Sequence, residues 1–497
     1  MFYRKNLPAL PSKTSRIKIP VFFGPDSKTN ESVLPMNTAT TAYNFRLTDG
    51  ALSTGIGLRR AKMPRKSDGV EFELPQLTKD AARIFIYRRY DANADAPDDR
   101  IIAVDRDGYF YAAKLTQETA FSRLTMPKTY EPCDAVNYRY NGVDVILISV
   151  ALGLYIYDGT GQPYLVQHAP KIKSMCVHSE RIYASVRGDN TSVWFSDTFD
   201  PTNWNVSLDD GGFIDFADEG GYVRKVVQFN DSVYIFRDYS VERLIAYGEQ
   251  QEFSVSKICT LGSKIIPQTI IQGGDYIIFM LRDGLYIFDG FGAKKVFERV
   301  TGIIDTSSDL KACFDKNKYY LAARAGFGDG KTLLSENAEP NAKNALFEFD
   351  IKNATVNILR GANILDVASV KTVSAEKIVC GLSSAADAAL RGTVFELDYS
   401  GKIGTTPLPM LWSSAYNALG SPDRKKLIRK AAFMSKYDCV LRVNADGREF
   451  EYAVKGGDKP VSIAVMKPCS QFSAAFLAEG DAEIRDAVIL AEEYGQI

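Results

Sequence analysis

One pattern recurs along this chain at a spacing that few architectures can use. It is a β-rich strand, a polar or glycine-containing turn, and a second strand with aromatic residues at alternate positions. It reads IIAVDRDGYFYAAKL at 101–115, VILISVALGLYIYDG at 145–159 and YIIFMLRDGLYIFDG at 276–290. Looser copies lie at 181–197, 232–248, 318–356 (with an insertion) and 377–401. With Tyr111, Tyr157, Phe195, Leu244, Phe288, Phe349 and Leu397 aligned, the mean spacing is about 48 residues, the period of a four-stranded propeller blade. One such blade cannot bury both faces alone, whereas radial stacking buries blade against blade and leaves only short edges. Helical periodicity is scarce, so the expectation is an all-β chain with a six- or seven-bladed β-propeller over 71–406. A Gly-, Ala- and Asn-rich insertion interrupts the period at 326–344. How the ring closes leaves no mark in the pattern.

Two flanks differ from the repeats. Residues 1–70 carry Pro8, Pro11, Pro20, Pro25 and Pro35, and Arg4, Lys5, Lys13, Arg16 and Lys18 precede any acid. This reads as an extended N-terminal arm and lead-in segment, completing a sheet or lying on a neighbouring subunit. From 407 to 497 the spacing predicts a C-terminal β-sandwich, with strands at 430–436, 438–444, 448–455, 460–467, 470–477 and 483–491 separated by Asp-Gly and Gly-Gly turns. The most apolar run, 145–157, is too short for a spanning helix, which needs about 20 residues, and Ser149 and Gly153 suggest two strands around a turn.

The composition narrows the chemistry. The 497 residues contain 60 Lys and Arg against 61 Asp and Glu, a net charge of -1, which removes the global basic field of a nucleic-acid coat or membrane-surface binder. With His168 and His178 the only two histidines, a multi-histidine zinc site is nearly excluded. The seven cysteines include no C-x-x-C pair and mostly sit in apolar strand-like runs, as buried free thiols do in a reducing compartment. GFGDGKTLL (326–334) has the ending of a phosphate loop, but Ala325 stands where its first glycine belongs and no βαβ context surrounds it. SDTFDPTNW (196–204) reads as a turn in which Asp197 and Asp200 cap amides and Trp204 packs on a blade. Asp105 to Gly108 and Asp209 to Gly212 read as hairpin turns rather than calcium loops. No catalytic residue, cofactor or metal ligand is assigned.

Charge segregation supplies the candidate contact residues. Arg424, Lys425, Lys426, Arg429 and Lys430 form one basic run, read as a surface loop before the sandwich strands. Arg59 and Arg60 belong to a second, with Lys62, Arg65 and Lys66. Opposing them is an acidic C-terminal stretch with Glu479, Asp481, Glu483, Asp486, Glu492 and Glu493. On a neutral chain this pattern suits complementary patches between subunits, or contact with DNA phosphates.

Segments 181–205, 220–244 and 273–296, together with SVLPMNTATTAYNFRLTDGALSTGIGLRRA (32–61) and LWSSAYNALGSPDRKKLIRK (411–430), resemble the tail nozzle (tail tubular) and packaged-DNA-stabilisation (stopper) proteins of short-tailed bacteriophages. In the opening segment the resemblance rests on an Asn, an Asp-Gly turn and a Gly-Leu-Arg. It implies a structural, non-enzymatic virion protein. The expected assembly is a homo-oligomeric ring, a hexamer first of all, assembled in the host cytoplasm and residing in the tail or neck. A portal-adaptor or neck protein would lie above it and plug, needle or fibre proteins below, with double-stranded DNA passing without sequence specificity and no membrane-spanning segment. The alternative is a carbohydrate-active or glycan-binding propeller of depolymerase type, which would need a carboxylate pair facing an axial pocket.

Overall fold

A computed structural model describes residues 13–496, apart from Pro132, Cys133, Asp209, Ala217, Glu249, Ser374, Gly420 and Ser421. The basic residues Arg4 and Lys5 and the thiol Cys133 lie outside the described residues. Alternating Val, Ile, Tyr and Phe fold into six successive four-stranded antiparallel sheets and a seventh, six-stranded sheet whose outer strands include Gly57–Arg60, Lys402–Ile403 and Thr406–Pro407. Sheet 1 runs Ala81–Tyr87, Arg100–Asp105, Phe110–Lys114 and Ser122–Arg123; sheet 2 runs Asp134–Tyr140, Val143–Val150, Gly153–Tyr157 and Tyr164–Leu165. Sheet 3 holds Ile172–His178, Arg181–Val186, Ser192–Phe195 and Gly212–Asp215, and sheet 4 Val223–Phe229, Ser232–Arg237, Ser240–Ile245 and Ser254–Thr260. Sheet 5 comprises Ile271–Gly273, Tyr276–Leu281, Gly284–Phe288 and Ala293–Val296; sheet 6 comprises Lys311–Asp315, Lys318–Ala323, Ala345–Asp350 and Thr355–Arg360. Sheet 7 takes Ile364–Lys371, Glu376–Leu382 and Val394–Asp398 from one region and its fourth strand, Gly57–Arg60, from near the chain start.

That fourth strand closes a β-propeller. Glu396 pairs with Arg59 and Leu397 with Leu58, so the two ends of the ring are laced by backbone hydrogen bonds. At the axis, Asp366 Oδ2 of sheet 7 accepts from the Ile84 amide of sheet 1 at 2.8 Å. Apolar layers fill the gaps between neighbouring sheets: Phe236, Phe279 and Phe288 between sheets 4 and 5, and Tyr320, Leu346, Cys380 and Phe395 between sheets 6 and 7.

The sandwich is not made from 407–497 alone. One of its sheets orders Phe45–Thr48, Ala51–Thr54, Glu483–Gln496, Arg424–Ser435 and Val461–Cys469, with Lys13–Ile19 also on the 483–496 strand. The other orders Phe23–Pro25, Thr38–Tyr43, Pro409–Ser414, Phe472–Glu479, Cys439–Ala445 and Arg448–Val454. Between them Phe22, Trp412, Phe433 and Phe476 interlock edge to face, Phe22 to Trp412 at 4.9 Å and Phe433 to Phe476 at 5.0 Å. The expected 1–70 arm is therefore corrected for its described part: 13–54 is sandwich, and 57–60 is propeller. Ile19, Phe22, Leu52 and Leu58, all at most 2% exposed, are why it cannot hang free.

The 326–344 insertion folds back onto sheet 6 and the sandwich. Arg360, 2% exposed, donates to Glu336 at 2.8 Å, to Asp329 at 2.7 Å and to the Lys331 carbonyl at 2.6 Å, with its guanidinium stacked over Phe327 and Tyr43. Gly330, Lys331 and Thr332 stand in that loop ahead of the one-turn helix Leu334–Ala338, so there is no helix of useful length to receive a phosphate.

Candidate functional site

Two features gather charged chemistry: the propeller axis and the strand pair formed by the basic run and the acidic C-terminal stretch. At the axis, the first residues of the inner strands line a cavity of about 470 Å³ that draws on all seven sheets. Its charged lining includes Arg83, Asp134, Lys173, Lys225, Lys311 and Asp366. Arg83 sits inside the otherwise apolar strand AARIFIY, and Lys225 stands beside Arg224 in the largely apolar VRKVVQF. The first strand of each sheet runs beside the axis, so charged side chains near its start border the central hollow while its other residues pack between neighbouring sheets.

A repeated device locks these strands to one another. Asp134 Oδ2 accepts from the Met175 amide of the next sheet at 2.9 Å, and Ser174 Oγ accepts from the Val226 amide at 3.2 Å. Asp366 and the Ile84 amide repeat the arrangement across the closure. Burial pushes both the Asp134 and Asp366 carboxyls up, against the pull of Lys225 on the first and of Lys311 and Arg83 on the second. Burial also pulls the Lys225, Lys311 and Lys173 ammonium groups down, with Arg83 adding to the effect at Lys311 and Arg224 and Arg187 at Lys173. Lys225 donates to the Ile270 carbonyl at 2.8 Å, while Lys311 reaches Asp309 only at 3.8 Å. Arg83 and Lys225 have no carboxylate within 4 Å among the described residues.

The opposite mouth of the axis is a wider hollow of about 860 Å³, lined by Arg88, Arg89, Asp99, Asn137, Arg139 and His178 among others. His178 is buried there against Tyr247, its Nε2 has no hydrogen-bond partner among the described residues, and burial holds its pKa below the ordinary value. His168, by contrast, is an exposed turn residue with φ of 63°.

The basic run is placed differently from its sequence reading. Arg424–Ser435 is a strand flanked on both sides, not a surface loop. Its partner 483–496 aligns Lys426 with Glu493 and Leu427 with Glu492. Arg429 pairs with Glu492, and Arg424 lies 3.8 Å from Glu493. Lys426 is buried, donating to the Arg424 carbonyl at 2.9 Å, and burial lowers its pKa. Of the five, Lys425, Arg429 and Lys430 are exposed. Glu492 and Glu493 thus meet the basic run within the chain, which corrects the expectation of contacts between subunits for those two acids and for Arg424 and Arg429.

Arg59 and Arg60 are likewise engaged on the closing strand. Arg59 donates to the buried Glu396 carboxylate at 2.6 Å, and Arg60 lies 3.4 Å from Glu73. Nothing brings them near Arg424 to Lys430, which belong to the sandwich.

The turn at 196–204 is built as its sequence suggested. Asp200 Oδ1 accepts from the Thr202 amide at 2.9 Å, Asp197 from the Thr198 amide at 2.6 Å, and buried Trp204 donates to the Pro201 carbonyl. No group of three or more His, Cys, Asp or Glu among the described residues is placed to hold a metal, and no helix among them is long and apolar enough to cross a membrane. The axial charges were missed at the sequence level, although a charge near the start of an apolar repeat strand, one residue before an Ile or Val in Arg83, Lys225 and Asp366, was a usable signal.

No family model matches the chain, and no curated protein does. Among solved structures, the computationally designed Ika8 protein is similar over 65% of this chain and 97% of its own, at 13% identity and a TM-score of 0.38. The crystal structure of BBS1N in complex with ARL6DN is similar over 68% of this chain and 96% of that one, at 9% identity and a TM-score of 0.41.

Proposed function

We propose that this protein is a structural ring subunit of a bacteriophage tail or neck, of nozzle or stopper type, which extends the DNA channel and helps to retain packaged DNA. The observation that carries the reading is what the resembling opening segment does. Asn44 takes a left-handed φ of 62° and ties the sandwich to sheet 6, donating to the carbonyls of Pro409 at 2.7 Å and Arg360 at 2.8 Å. Asp49 and Gly50, both at positive φ, turn the hairpin that follows. Gly57, Leu58 and Arg59 close the propeller. The three marks of the resemblance thus fall on the seam between the bodies, on a sandwich hairpin and on the propeller closure, and the other resembling segments fall on blade hairpins and the sandwich crossover. On this reading the resemblance carries a frame and no individual site residue.

The axial cavity has the scale of a small-ligand pocket, about 300–1,000 Å³, so duplex DNA would travel through the hole of a ring of subunits and not through the propeller. Subunit contacts would use the propeller end bearing exposed Phe199, Tyr247, Phe291 and Val373, which the antiparallel order places in same-end turns. Electron microscopy of the purified protein tests the reading. A ring with a central channel, six-fold in the first expectation, supports it; a monomeric solution mass and no particle association overturn it.

A further inference from the structure

We propose that the axial cavity at the inner-strand starts is a binding site for a small phosphate-type anion, held by Arg83, Lys225 and Lys311 with Lys173 at its edge. This assignment is independent of the ring reading. The four cations reach the cavity from sheets 1, 4, 6 and 3, so no single strand or loop creates the cluster. The carboxylates sharing the lining are Asp134 and Asp366, each already accepting a backbone amide of a neighbouring sheet. Arg187 and Arg224 also line the cavity, and Arg224 is held by Asp238 at 2.7 Å. Positive charge exceeds negative in a half-enclosed space where Lys311 and Asp366 are buried and Arg83, Lys173 and Lys225 part-buried, so water and salt screen less than at an open surface.

That surplus costs the empty protein stability, because cations crowd one another away from bulk solvent. A dianion or trianion at the axis would relieve it and accept several charge-assisted hydrogen bonds at once. Phosphate chemistry suits the set better than a lone carboxylate, since donors converge from around a ring, and tetrahedral oxygens point in more than one direction. Guanidinium and ammonium groups together supply both forked and single donors.

The probes are inorganic phosphate and pyrophosphate, titrated into the full chain by calorimetry and by thermal shift at fixed ionic strength, with chloride as the control. Saturable binding is expected, tighter for pyrophosphate. Lys225→Met is expected to weaken pyrophosphate by about tenfold, a loss of one coordinating charge. Asp366→Asn keeps an oxygen acceptor for the Ile84 amide and removes a negative charge, so it is expected to tighten binding several-fold. A destabilised variant cannot mimic that gain. Absence of saturable binding at about millimolar probe, equal affinity in all three proteins, or displacement of pyrophosphate by a short DNA duplex overturns the assignment.

Discussion

Arg237 shows how this chain manages a charge in its interior. It is fully buried in sheet 4 and donates to the carbonyls of Phe216 at 2.8 Å and Gly221 at 2.8 Å, with Asp218 and Glu242 as its ionic partners. Glu242 is 3% exposed; burial raises its pKa, Ser240 and Arg237 oppose that from its Oε1 side, and its Oε2 has no hydrogen-bond partner among the described residues. Removing one member of such a buried pair typically costs about 3–5 kcal/mol, because the other is left charged and dry. Arg237→Met is therefore expected to lose roughly that much at pH 7 in chemical denaturation. The sign of the pH dependence follows from the raised pKa. The native state takes up the Glu242 proton before the unfolded chain does, so the deficit is full above the folded-state pKa and shrinks as pH falls through it. Adding Glu242→Gln should recover part of the loss and flatten the pH profile; a deficit that grows on acidification would refute the account.

At the scale of the element, the closing strand carries more than its four residues suggest. Gly57 is required there, since a Cβ would fall 2.4 Å from Ser400 Oγ and 2.5 Å from Asp398 Oδ1. Leu58 is completely buried in the layer that also holds Cys313 and Cys380. Leu58→Asp would forfeit the burial of a leucine, about 2–3 kcal/mol, and place a charge against that layer. Sheet 7 should then open locally, and Cys313 and Cys380 should react with a thiol reagent while Cys439 and Cys469 of the sandwich stay protected. Simultaneous labelling of all four would show that the strand does not act as a local clasp. The blade hairpins were legible because each is built from neighbours in sequence, with strand period and Asp-Gly turns in one window. The closing strand was not, because Gly-Leu-Arg-Arg has no period of its own and its partner, Val394–Asp398, lies over three hundred residues away. The same limit hid the pairing of Arg424–Ser435 with Glu483–Gln496: opposite charge was visible, but not that backbone register would satisfy it inside the chain. The axial cluster escaped for a related reason, since charges scattered one or two to an inner strand become a site only when the ring brings the strands together.

For the whole molecule, the path of the chain makes two bodies into one folding unit. Residues 13–54 complete the sandwich and 57–60 complete the propeller, so neither body can finish while this segment is unplaced. Tyr43 and Leu411 of the sandwich also share an apolar layer with Phe347 and Ile358 of sheet 6. Asn44 sits at the centre of that seam, fully buried, donating to Arg360 and Pro409 carbonyls and accepting from the Arg360 amide at 2.7 Å. Asn44→Ala would remove all three bonds, leave buried backbone groups unsatisfied, and put alanine at a φ that asparagine tolerates better, a combined cost of about 3 kcal/mol. The three tryptophans make the consequence readable, since Trp412 lies in the sandwich core and Trp194 and Trp204 in the sheet 2–3 layer. With fluorine-labelled tryptophan, wild type is expected to lose all three native signals at one temperature, and Asn44→Ala to lose them together at a lower one. If Trp412 instead melted apart from Trp194 and Trp204 in the wild type, the shared N-terminal segment would be a tether between independent domains. The coincidence of the three signals is what a chain woven through both bodies requires.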